Sequence, residues 1–165
     1  MQILWVAVGF LFFIVSVNVV FDIVGVAATA ASEAPFNAMA ARKVTGAQEG
    51  LALIKNADKV ANFANDVVGD ISGTVAGALG ISIMARVLLI FPKSSELWLN
   101  ILVTAVIAAV TVAGKAMGKR VAVTRANQVI FLTGRLIARY NRLITSFKWS
   151  RNKSFDKKVR KLGRS

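Results

Sequence analysis

The chain has 165 residues, enough for one domain, and 56% of them are hydrophobic with a mean hydropathy of +0.61, too apolar for an ordinary soluble fold of this size. It has no cysteine and no histidine, which excludes disulfides, thiolate or imidazole metal sites and nucleophile–histidine pairs. The net charge of +13 is uneven: residues 1–114 hold 6 Lys/Arg against 7 Asp/Glu, and residues 115–165 hold 15 against 1. An apolar, near-neutral front is thus joined to a basic rear that faces water or a lipid surface.

The first apolar run, about residues 3–26, is long enough to cross a bilayer, for which about 20 residues suffice. No Lys or Arg precedes it, and its core is longer than that of a secretory signal. Ala28-Thr29-Ala30 resembles a cleavage site, but a retained anchor is the preferred reading. Asn18 and Asp22 lie one turn apart and form the polar face of this helix.

Residues 32–56 change character and read as short cytoplasmic helices. Ser32-Glu33 followed by Pro35 marks a break and restart, since Pro suits a first helical turn. A helix is expected over Ala38 to Val44, a turn at Thr45-Gly46, a second helix over Ala47 to Lys55, and an N-cap at Asn56. Arg42, Lys43, Lys55 and Lys59 outnumber Glu49 and Asp58, which places this segment inside and the N-terminus outside.

The second span covers about residues 60–91 and carries the most distinctive pattern. Gly69, Gly73 and Gly77 recur every fourth residue, a stripe that lets another helix approach closely. Asp66, Asp70 and Thr74 form a parallel acidic row beside it. Carboxylates in an apolar run cost several kcal/mol, so they face protein or water and often serve function. Plain helix packing explains the stripe equally well, and Asp66 can sit at the interface. Arg86 is near enough to the outer surface to snorkel, Pro92 ends the helix, and Trp98 suits the interface that opens the next one.

The third span covers about residues 97–116 and runs inward, so the topology is N-out, three crossings, C-in, as for a multi-pass protein of the plasma (inner) membrane. Counting rise per residue, Asp22, Asp66, Asp70 and Thr111 fall at one depth in the inner half of the bilayer. Such a set offers oxygen ligands, which suit a hard cation such as Mg²⁺; the plain alternative is four groups that meet cytoplasmic water separately. Residues 119–147 read as a basic amphipathic helix on the inner leaflet, with Arg135, Arg139 and Arg142 beside its apolar positions. Residues 148–165, with Lys148, Lys157 and Lys158, read as a polybasic tail without structure of its own when free. Anionic lipid is the expected partner of both segments. No stacking platform or base-reading motif points to nucleic acid. No phosphate-binding Gly loop or Ser-x-x-Lys pair on a suitable element points to an enzyme. The fold class is therefore an all-α membrane protein, with a transmembrane domain over 1–118.

These features resemble the transmembrane domain of the CorC/CNNM family, which is linked to magnesium transport. Ala31-Ser32-Glu33-Ala34 is similar to that family's Ser-Glu segment, and Val67-Val68-Gly69-Asp70-Ile71 to its Gly-Asn motif. Thr74 falls where a second Asn is common, and Thr111-Val112-Ala113-Gly114-Lys115 resembles the third motif. The resemblance covers about residues 1–145. It implies a homodimer that binds or moves Mg²⁺ or another divalent cation through Asp22, Ser32, Asp66, Asp70, Thr74 and Thr111. The departures are specific: Thr111 replaces the family's Glu, Gly114 its Pro and Ala30 a Ser, and the run from Asn56 to Gly69 is longer than the family pattern. The family's cytoplasmic CBS pair does not follow within the sequence, so nucleotide gating through it is not expected. The alternative is a non-transporting adaptor, with the spans as anchor and the basic tail recruiting lipid or a cytoplasmic partner.

Overall fold

A computed structural model describes residues 2–92 and 95–162, with side chains described for 4–92 and 95–144. Among the described residues every regular element is helical. The order is α1 (Gln2–Ala30), α2 (Glu33–Ala41), α3 (Ala47–Lys55), α4 (Ala57–Asn62), a π-helical segment (Phe63–Val68), α5 (Gly69–Ile90), α6 (Glu96–Thr124) and α7 (Ala126–Leu162). Three helices are long and apolar enough to cross a membrane: Leu4–Ala30, Ala57–Ile90 and Glu96–Thr124.

The first helix is the hub, touching every other helix except α2. Close contacts give the register. Gly25 lies against Ala61 and Ala64, while Gly69 lies near Asn18, so the second span runs antiparallel to α1. Gly114 meets Val19 and Gly118 meets Ile23, so α6 runs parallel to α1. A Cβ on Gly118 would stand 2.8 Å from Ile23 Cγ1, which shows how closely the two backbones approach. Small residues permit that approach where apolar solvent gives helices little reason to associate.

Where α1 ends and the second span begins, the short helices build a compact cap with α7. Its core joins Ala27 and Ala28 of α1, Phe36 of α2, Ile54 of α3, Ala122 of α6, and Ala126 and Ile130 of α7. Phe36 and Ile130 are the largest side chains that are fully buried. Ser32 precedes α2 with extended backbone, and its N–H donates to Asn127 Oδ1 at 2.9 Å, tying the α1–α2 break to the start of α7. Lys43 at φ 55° and Gly46 at φ 90° make the left-handed turn into α3. Gly46 and Gly50 then press against Gly134 of α7.

The α3 helix spans the residues expected of it, and Pro35 stands in the first turn of α2, as its fixed φ favours. Four expectations differ, the first being the tail: α7 runs Ala126–Leu162, so most of residues 148–165, read as a segment without structure of its own, is helical. The first short helix runs Glu33–Ala41 rather than Ala38 to Val44, because Ser32 already has the extended backbone of an N-cap. Asn56 precedes α4, but its side chain makes no cap; Asn56 Nδ2 donates backward to Ala52 O at 2.9 Å. The third span continues through Gly118 to Thr124, and the break comes at Arg125. Glycines 114 and 118 are held helical by contact with α1, which outweighs their weak helix propensity.

Candidate functional site: a buried polar cluster in the three-helix bundle

The most apolar of the three candidate spans, α1, carries two polar side chains on its packed side. Asn18 and Asp22 are each 4% exposed. They sit one turn apart on α1, facing the start of α5 and the inner part of α6. Lys115 reaches Asp22 from α6, with Nζ 3.8 Å from Oδ1. It stands between Gly114 and Gly118, the residues that seat α6 on α1, so close helix packing delivers the ammonium to the carboxylate. On the third side is Gly69: a Cβ there would lie 3.9 Å from Lys115 Nζ and 4.0 Å from Asn18 Oδ1.

The cluster is electrically balanced and short of hydrogen bonds. Asp22 and Lys115 carry one charge each, and 3.8 Å is an ion pair rather than a hydrogen bond. Asn18 Oδ1 and Asp22 Oδ2 are buried without a hydrogen-bond partner among the described residues. A buried acceptor without a partner costs about 1–3 kcal/mol, more when charged. Two such oxygens beside one another make a place that water or a cation would stabilise. Lys115, with a side chain 29% exposed, is the most exposed of the three side chains.

The other candidate residues are placed elsewhere. Asp66 is level with Asp22 but exposed on the far face of the π segment. Asp70 and Thr74 are exposed too, and Thr74 Oγ1 donates to Asp70 O at 2.8 Å. Thr111 is half-buried one turn before Lys115 and donates to Ile107 O at 2.8 Å. Ser32 is exposed at the cap, about 15 Å along α1 from Asp22 by helical rise. So the three aspartates do not converge. Among the described residues no group of three Asp, Glu, His or Cys gathers to hold a metal.

The glycine stripe divides in the same way. Gly69 is half-buried, but a Cβ on Gly73 or Gly77 would meet nothing within 4 Å. The buried face of α5 is instead Ser72, Ala76, Gly80, Ile83 and Met84. Lys115 had its clue in the sequence: a lysine inside an apolar helix needs an acid at the same depth, and Asp22 is one.

A second polar feature lies on α7. Arg135, Arg139 and Arg142 line a cleft of about 520 Å³ with Leu132, Leu136 and, from the turn before α3, Thr45. The Arg135 guanidinium also sits over the Phe131 ring, 5.7 Å from its centre. The side chains of Lys148, Lys157 and Lys158 lie outside the described residues. Comparison of the chain with protein-family models, with curated proteins and with solved structures found no match in any of the three.

Proposed function

We propose that the chain is a multi-pass protein of the inner membrane that binds a small hard cation, Mg²⁺ or a similar divalent ion, at Asn18 and Asp22. This is the activity that the resemblance to the CorC/CNNM transmembrane domain implies, with Asp22 kept from the implied set and Asn18 in place of Ser32, Asp66, Asp70, Thr74 and Thr111. The observation that carries it is the pair of oxygens buried without a hydrogen-bond partner among the described residues, Asn18 Oδ1 and Asp22 Oδ2, next to a partly exposed ammonium. Mg²⁺ keeps several of its waters and needs only one or two carboxylates from a protein, so this small donor set suits it. Lys115 then acts as a tethered counter-ion: it neutralises Asp22 when the ion is away and must swing out when the ion arrives. The basic cap and the start of α7 gather at one end of the bundle, which by the positive-inside rule is the cytoplasmic end. The cluster then lies in the inner half of the bilayer, the N-terminus outside and the C-terminus inside. Gly73 and Gly77, bare on the outer face of α5, are the surface for a second copy in a homodimer.

One observation favours the second reading, a scaffold that moves no ion. Lys115 already neutralises Asp22, so the site is complete in charge without a metal. Calorimetric titration of Mg²⁺ into the purified full chain in nanodiscs separates the two. The cation reading expects Asp22→Asn to abolish binding, Lys115→Met to tighten it, and Asp70→Ala to leave it unchanged. Binding that survives Asp22→Asn, or is lost in Asp70→Ala alone, overturns the assignment. No binding by either the parent or Lys115→Met leaves the scaffold.

A further inference from the structure

The arginine cleft on α7 has a composition that selects its ligand. Among the described residues that line it, three are arginines, two are leucines and none is acidic. Guanidinium groups match phosphate oxygens with paired, charge-assisted hydrogen bonds. The leucines belong to a longer stripe. Leu132, Leu136, Tyr140 and Leu143 follow one another by four, four and three residues, so they share one face, and each is at least 59% exposed. That face is distinct from the one buried against α3, where Ile130 and Gly134 lie. An apolar stripe with a row of arginines along its edge is the pattern of a helix lying in a membrane interface. The helix begins at Ala126, just after the third apolar span ends at Thr124, so it starts at the membrane surface.

We infer that this cleft holds an anionic glycerophospholipid, its phosphate among Arg135, Arg139 and Arg142 and its acyl chains along Leu132 and Leu136. The leucines argue for a lipid over free phosphate: a soluble anion would leave them wet, while a lipid covers them. Thr45, on the turn that leads into α3, closes the cleft from the cap, so the lipid bridges α7 and the α2–α3 segment. The inference does not depend on the cation site, which lies in the bundle rather than on α7.

Native mass spectrometry of the full chain, released from phosphatidylcholine nanodiscs doped with phosphatidylglycerol, tests it. The parent should retain phosphatidylglycerol in preference to phosphatidylcholine. Arg135→Ala/Arg139→Ala/Arg142→Ala should weaken that retention about a hundredfold, and Leu136→Ser should weaken it too. Removing as many charges elsewhere, with Lys119→Ala/Arg120→Ala/Arg125→Ala, should leave it intact. Equal loss in both triple variants means diffuse attraction and overturns the site. So does full retention when the three arginines become lysine, since the fork geometry is then irrelevant. Displacement of the lipid by millimolar inorganic phosphate would make this a free-phosphate site and overturn the lipid assignment.

Discussion

The Asp22–Lys115 pair gives a prediction whose size follows from the structure. At 3.8 Å two unit charges attract by about 4 kcal/mol at an effective dielectric of about 20. Against this stands the cost of desolvating a carboxylate that is 6% exposed and an ammonium that is 29% exposed. The two effects nearly cancel for the intact pair, so its worth shows only when one partner is removed. Lys115→Met leaves the Asp22 carboxylate buried and uncompensated and should destabilise the bundle by about 3 kcal/mol. Asp22→Asn should cost less, because Lys115 can turn its head to water. The double variant should return to near the parent, which makes the coupling energy about 3 kcal/mol or more. The chain has no native cysteine, so one thiol can report on opening of the bundle. Ser72→Cys is nearly isosteric, and Ser72 is 5% exposed on the packed face of α5. Its modification rate, followed against the fraction of denaturing detergent in mixed micelles, measures the stability of each variant. Simple additivity of the two single substitutions would refute the pairing. A Lys115→Met chain as stable as its parent would refute it as well.

Two further substitutions test the packing. Gly134→Ala puts a methyl group onto the Gly46 carbonyl oxygen and within 2.8 Å of the Gly50 nitrogen; both are backbone and cannot turn aside. It should cost about 1–3 kcal/mol and raise protease cleavage between α2 and α3. A Cβ on Gly77 has no neighbour within 4 Å among the described residues, and Gly77→Ile should leave the stability of the bundle unchanged. It should instead weaken self-association, measured by energy transfer between labelled copies in vesicles; unaltered transfer would remove Gly77 from any dimer interface.

Hydropathy alone made the three spans legible, because length and greasiness are properties of composition. Local chemistry made the cap legible as well: Pro35 and Gly46 are placed by backbone rules that act within a few residues. The side on which each polar residue falls was harder. Asn18 and Asp22 read as one polar face because both lie on an uninterrupted α-helix. That Lys115 answers Asp22 depends on Gly114 and Gly118 seating α6 on α1, a contact between residues roughly ninety positions apart. Periodicity marks which residues share a stripe but not which stripe a neighbour covers. For that reason Gly73 and Gly77 looked equivalent to Gly69, although only Gly69 has a neighbour within 4 Å of its Cβ position.

The π segment explains why counting by fours fails there. Ala64 and Gly69 are five residues apart, and both face α1: Ala64 Cβ lies 3.1 Å from a Cβ built on Gly25, and Gly69 lies beside Asn18. In an unbroken α-helix, residues five apart point about 140° from each other and cannot share that neighbour. The wider turns of Phe63–Val68 remove the difference, absorbing one additional residue and bringing the two onto one line. The additional residue is thus taken up inside the helix rather than in a loop. Gly69 comes to the polar cluster by this route, while Asp66 and Asp70 stay on the outer face. Deleting one residue from 65–68 should turn the wide turn into an α-helical one, leave Ala64 and Gly69 four residues apart, and keep Gly69 beside Asn18 and Lys115. The deletion should therefore be about as mild as a Gly69→Ala substitution, for which the 3.9 and 4.0 Å spacings leave room. The same thiol assay at Ser72→Cys ranks the two, and a deletion far more damaging than the alanine would show that the π segment does not simply absorb an additional residue.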